Sequence, residues 1–127
     1  KYKSANLSFR QMDATNLEFT NETFDLVCSF ELIEHIKNHD KLLSDIARIL
    51  NQNGKLILST PNHAMACDPS FVGTPYHVKE FYLHEFRESL SKHFTNIEMF
   101  AQGDYFSNIS KFLRLRYGRK FYEKILP

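Results

Sequence analysis

The feature that most constrains this chain is a set of three segments between residues 24 and 60. Phe24-Asp25-Leu26-Val27-Cys28-Ser29-Phe30 is a compact β-rich stretch in which Leu26, Val27 and Cys28 are apolar in succession. A strand with one wet face alternates apolar and polar residues. Consecutive apolar positions predict a strand buried on both faces, the habit of parallel sheets. Lys55-Leu56-Ile57-Leu58-Ser59-Thr60 repeats the pattern and is ended by Pro61-Asn62. Between the two, Leu42, Leu43, Ile46, Ile49 and Leu50 recur at helical spacing. Asn38 is placed to cap that helix, and Asp40 suits the positive end of its dipole. Asn53-Gly54 predicts a left-handed stop. Strand, helix and strand in this order predict a right-handed βαβ crossover and an α/β fold.

The flanks add shorter elements. Leu7-Ser8-Phe9-Arg10-Gln11 alternates as a short strand should, and the turn formers Asp13, Asn16 and Asn21 follow it. His63 to Lys79 holds two prolines and a glycine and reads as a long loop at the C-terminal end of a strand, where α/β folds carry function. Leu83, Phe86, Leu90 and Phe94 share one stripe of a second helix, and Asn96 to Gln102 alternates as a further strand. In the last segment Lys111, Arg114, Arg116, Arg119, Lys120 and Lys124 face one acid, Glu123, with aromatic residues between them. The expected division is therefore 1–109, the main domain, and 110–127, a basic aromatic helical segment. That segment either packs on a domain or meets a membrane surface peripherally.

Composition narrows the function classes. A chain of 127 residues suits one domain, and a net charge of +1 gives no reason to expect nucleic acid as partner. Cys28 and Cys67 are too few for a disulfide framework; Cys28 is expected as a buried reduced thiol. No apolar stretch reaches the roughly 20 residues of a spanning helix, and the first residues lack the apolar core of a secretion signal. A cytoplasmic setting is the expectation. The chain begins without Met, as a fragment would. Its four glycines, Gly54, Gly73, Gly103 and Gly118, stand far apart, so no GxG, GxGxxG or phosphate-cradling loop is present.

Three stretches pass from strand to polar loop at a strand's C-terminal end: Gln11-Met12-Asp13-Ala14, FDLVCSFELIEHI from Phe24, and GKLILSTPN from Gly54. Ligands bind at that edge in open parallel sheets. With YHVKEFYLHEF from Tyr76, their order and spacing resemble the second half of a class I S-adenosylmethionine-dependent methyltransferase. The group is the one typified by ubiquinone-type O-methyltransferases and by enzymes of surface-glycan clusters. The resemblance covers residues 6–102. It implies a partial Rossmann-like fold, a mainly parallel sheet with flanking helices. The glycine-rich loop and the first two strands of the family would lie upstream of Lys1.

By the same resemblance, Asp13 and the Ala14 amide contact the adenine of S-adenosylmethionine. Ser29, Phe30 and Glu31 lie beside the sulfonium, His35 belongs to the family's acidic-His turn, and His77, beside Tyr76, lies in the substrate-side loop as a general base for a hydroxyl acceptor. Plainer roles stand beside these. Asp13 forms a turn with Asn16; Glu31, Glu34 and His35 are a helix-start cluster making caps and surface pairs; His77 is a packed or surface histidine. His35 and His39 stand at i, i+4 near Glu31, but without HExxH or a third ligand no metal site is expected. The expected activity is methyl transfer to O, or N, of a small molecule or glycan, with cofactor binding weak or absent in this chain alone. The alternative is a non-catalytic methyltransferase-like module, and a homo-oligomer is one way to cover the open sheet edge.

Overall fold

In the computed structural model, residues 6–64 and 75–100 are described, and the chain divides into two compact units, Lys1–Ile97 and Glu98–Pro127. The sheet and both helices belong to the first. The element order is β1 (Phe24–Phe30), a 3-10 turn (Ile33–His35), α1 (His39–Ile49), β2 (Leu50–Ser59) and α2 (Leu83–Ser91). β1 and β2 pair in parallel, in the register Leu26 with Lys55, Cys28 with Ile57 and Phe30 with Ser59. The expected βαβ unit is thus present, and β1 has the bounds expected of it.

α1 forms where its periodicity and its cap agree. The Asn38 side chain accepts from the Lys41 amide at 3.2 Å, Asp40 lies in the first turn and Arg48 in the last, each suited to its end of the helix dipole. Leu42, Leu43, Ile46 and Ile49 are buried, each contributing roughly 1.5–3 kcal/mol by leaving water. The helix does not stop on Gly54, as expected, but at Leu50, which turns extended (φ −75°, ψ 140°) and starts β2 directly. Gly54 serves a different end. Between the pairs Phe24–Leu50 and Leu26–Lys55 the register shifts, and a Cβ on Gly54 would lie 2.9 Å from the Asn51 carbonyl oxygen. That bulge closes only around a residue without a side chain.

In a parallel ladder, paired residues share a face. Val27, Ser29, Leu56 and Leu58 take the covered face, and the crossover helix α1 packs against β2. Leu26, Cys28, Phe30 and Ile57 take the other, where Leu26 and Ile57 are each 50% exposed and Phe30 is 61% exposed. The expectation of strands buried on both faces is corrected here, and with it that of a buried Cys28, which is exposed. The apolar residues are as expected; among the described residues no layer covers their second face.

Other expectations are corrected among the described residues. Leu7 takes part in an isolated bridge, but residues 8–11 have no regular structure, and neither do residues 97–100. A short alternating segment becomes a strand only when a neighbour accepts its hydrogen bonds. α2 forms but ends at Ser91, short of Phe94, its Glu85 carboxylate reaching back to the Tyr82 amide at 3.0 Å. Phe86 and Leu90 are buried while Leu83 is 58% exposed. Phe81, 1% exposed, packs its ring against His39 and Phe86. Most of the expected loop, residues 65–74, and the basic segment 110–127 lie outside the described residues, as does the boundary between 109 and 110. Among the described residues no helix is long and apolar enough to cross a membrane.

Candidate functional site

The C-terminal ends of β1 and β2 lead into the chemistry-bearing residues. After Phe30 the chain turns at Glu31, whose φ is 50°. Left-handed backbone costs a residue with a Cβ roughly 1–2 kcal/mol, so the turn has to be held. Two bonds to β2 hold it. The Glu31 amide donates to the Ser59 carbonyl at 3.1 Å, and the Ser59 hydroxyl donates to Glu31 Oε1 at 2.6 Å.

The 3-10 turn that follows is pinned by Ile33, fully buried, and carries Glu34 inside with it at 0% exposure. Glu34 Oε2 accepts from the Thr60 hydroxyl at 2.9 Å, whereas Oε1 is buried with no hydrogen-bond partner. The Glu34 carbonyl accepts from the Val78 and Lys79 amides at 2.7 and 3.1 Å, which fastens the segment before α2 against the turn.

That fastening brings two histidines together. The rings of His35 and His77 meet edge to face with centroids 4.9 Å apart. His35 Nδ1 lies 3.0 Å from the Tyr76 carbonyl oxygen; a carbonyl only accepts, so this nitrogen carries the hydrogen. His77 Nδ1 lies 2.8 Å from Glu80 Oε1 and donates to that carboxylate in the same way. In the neutral rings both Nε2 atoms therefore keep a lone pair. His35 Nε2 stands 3.9 Å from Glu34 Oε1, and one ligating atom from each of Glu34, His35 and His77 lies within 4.8 Å of the others. Glu80 also faces His63, with Nδ1 3.4 Å from its second oxygen.

The other residues singled out from the sequence lie apart from this cluster or face away from one another. Asp13 Oδ1 accepts from the Thr15 amide at 2.7 Å and from the Thr15 hydroxyl at 2.8 Å, and the Asp13 carbonyl accepts from the Asn16 amide. The turn with Asn16 is real, and the Thr15 bonds hold the Asp13 carboxyl below the usual carboxylate range. Ala14 is half-buried beside it. Ser29 and Phe30 leave opposite faces of β1: Ser29 is 7% exposed with an unpartnered hydroxyl, Phe30 is open. His39 takes no part in a metal-like grouping with His35. Its ring packs on Phe81, and burial together with the Lys79 charge lowers its pKa below 6.5.

Sequence reasoning puts Glu34 on the surface, in a helix-start cluster, and passes over Thr60 and Glu80. A single turn of 3-10 helix has no periodicity from which burial of one acid among Leu32, Ile33 and Ile36 could be inferred. The juxtaposition of His35 with His77, 42 positions on, is set by the Glu34 carbonyl bonds and leaves no local trace.

Residues 1–58 match the family model described as a methyltransferase domain. The phosphatidylethanolamine N-methyltransferase of Cereibacter sphaeroides is 35% identical over 49 residues, 39% of this chain and 24% of that protein. The ubiquinone biosynthesis O-methyltransferase of Rhizobium rhizogenes is 29% identical over 65 residues, 51% of this chain and 26% of that one. The matched stretch thus spans about a quarter of the length of these relatives. Among solved structures, the YcgJ protein of Bacillus subtilis superimposes with a TM-score of 0.60 at 24% identity, over 69% of this chain and 41% of that one. The fold is a partial Rossmann-like one.

Proposed function

We propose that this chain, which carries part of a class I methyltransferase domain, supplies the methyl-acceptor edge of a site that transfers a methyl group from S-adenosylmethionine to oxygen, or nitrogen, of a small molecule or glycan. The observation that carries the proposal is the meeting of Glu34, His35 and His77 just beyond the C-terminal ends of β1 and β2, where Ser59 holds the Glu31 turn, the edge at which such sheets take ligands.

The residues present fit the cofactor in part. Both Thr15 bonds to Asp13 fall on Oδ1, so Oδ2 is left to accept from an exocyclic amine, with the Ala14 amide beside it for a ring nitrogen. The exposed Phe30 ring and the Glu31 carboxylate suit a cation. When bound, S-adenosylmethionine supplies an electrophilic methyl on a positively charged sulfur. The chain's own work is to position the acceptor and receive its proton. His77, with Nδ1–H committed to Glu80, presents Nε2 as the base, and Glu80 stabilises the imidazolium that forms. His35, fixed by the Tyr76 carbonyl, orients the pair.

The open sheet face limits the chain taken alone. Leu26, Phe30 and Ile57 are half or more exposed on it, so among the described residues a ligand at this edge has a wall on one side only. Calorimetric titration of the 127-residue chain with S-adenosylhomocysteine is expected to show no micromolar binding; micromolar affinity would overturn the one-wall argument. In a form that transfers methyl groups, Asp13→Ala is expected to raise the cofactor Kd about tenfold, the worth of one lost hydrogen bond. An unchanged Kd would remove Asp13 from the site.

A further inference from the structure

We propose that Glu34, His35 and His77 form a site for one divalent transition-metal ion of the Zn2+ or Mn2+ kind. The three donors come from two segments that the fold fastens together, and one ligating atom of each lies within 4.8 Å of the others. An ion at the middle of such a group reaches each donor after side-chain shifts of under about 1 Å, since metal–nitrogen and metal–oxygen bonds run about 2.0–2.2 Å.

Glu34 Oε1 is the atom that asks for a cation. It is shut off from solvent and accepts no hydrogen bond, and a buried carboxylate oxygen in that condition is costly unless a positive charge or a donor meets it. The nearest positive candidate among the described residues, His35 Nε2, stands 3.9 Å away, beyond hydrogen-bond distance. An ion pair with His35 would also leave the His77 lone pair unused.

The contacts around the donors favour metal over proton. Tyr76 takes the Nδ1 hydrogen of His35, Glu80 takes that of His77, and Thr60 holds the other oxygen of Glu34. Each ligand thus has an outer partner that fixes its tautomer or its rotation, an arrangement characteristic of metal-binding histidines and carboxylates. Two imidazoles and one carboxylate suit Zn2+ and Mn2+ better than Ca2+ or Mg2+, which prefer oxygen throughout. Three protein donors leave at least one coordination position for water or another oxygen ligand.

The inference concerns the cluster and does not depend on methyl transfer. Metal binding and proton acceptance would use the same nitrogen of His77, so the two roles exclude each other while the ion is bound.

The test is calorimetric titration of the metal-stripped 127-residue chain with ZnCl2 and with MnCl2. One equivalent is expected to bind for at least one of the two ions, with affinity lowered tenfold or more in both Glu34→Gln and His77→Gln. In His84→Gln, which alters an exposed histidine outside the cluster, affinity is expected to be unchanged. X-ray absorption of the loaded chain should show two imidazole ligands. Failure to bind either ion at micromolar concentration would overturn the proposal, as would binding that survives both cluster substitutions or falls equally in His84→Gln. If Glu34→Gln loses its circular dichroism, His77→Gln, altered in an irregular segment, decides the matter by itself.

Discussion

Asp45 and Glu34 are the two carboxylates buried among the described residues, and they are treated in opposite ways. Asp45, on α1, is surrounded. Its Oδ1 accepts from Lys41 Nζ at 2.7 Å and from Arg48 Nε at 3.4 Å, and its Oδ2 accepts from the Leu17 amide at 3.4 Å. Glu34, after β1, has one oxygen on Thr60 and one on nothing. A buried acid with both oxygens answered is a structural part. A buried acid left half answered costs stability that its neighbours must offset, and such sites are where binding is found. The difference follows the polarity of the sheet: Asp45 ties down the segment entering β1, while Glu34 sits where β1 and β2 end.

The largest effect should come from breaking the closed half. Asp45→Ala strips Lys41, Arg48 and the Leu17 amide of their shared acceptor and is expected to cost roughly 2–3 kcal/mol, less than a fully buried pair because Lys41 is partly in water. Urea denaturation would measure it. Acidification tests the same carboxylate. Burial raises the Asp45 pKa, but Lys41, the Leu17 amide and Arg48 outweigh that and lower it below 3.8. Its stabilisation is therefore complete above about pH 4 and is lost as pH falls through the lower folded-state value.

His39 should act earlier in the same titration. Burial, with Lys79, lowers its pKa below 6.5, so the unfolded chain takes up that proton first and stability declines as pH drops below about 6.5. His39→Leu is expected to flatten that stretch of a stability-against-pH curve while leaving the steeper fall below about pH 4. In metal-free solution Glu34→Gln should change stability by no more than about 1 kcal/mol, since the amide keeps the Thr60 bond and replaces an oxygen that accepts no hydrogen bond. A loss as large as that of Asp45→Ala would show that the two acids are equivalent after all. Smallest of all is Glu31→Gly. Relief of the left-handed strain and loss of the exposed Ser59 bond should nearly cancel, to within about 0.5 kcal/mol by thermal denaturation.

Much of the frame is legible in the chain because it is local. The apolar run Phe24–Phe30, the Asn38 cap and the spacing of Leu42, Leu43, Ile46 and Ile49 need only their own neighbours in sequence, and each forms where it is expected. What is not legible depends on a second layer. Leu26 and Cys28 look buried from sequence, yet exposure depends on what lies over the sheet; the alternation at 8–11 and 97–100 looks like strand, yet a strand needs an edge to pair with. The site divides along the same line. His35 and His77 stand out by their motifs, but that they touch, and that Glu34 lies beneath them, depends on amide bonds between residues more than 40 positions apart.

Arg48 has a consequence for the order in which the molecule assembles. Its guanidinium donates to the carbonyls of Leu17 and Phe19 and to the Asn21 side chain, 27 to 31 residues earlier in the chain. The stretch from Asp13 to Asn21 has neither helix nor strand of its own and takes much of its shape from that one fork. The part from Leu17 to Asn21 takes its final place once α1 has wound and brought Arg48 to it, whereas the Asp13 turn before it closes on its own Thr15 and Asn16 bonds. The amide hydrogens from Leu17 to Asn21 should exchange with solvent no more slowly than those of the helix that holds them.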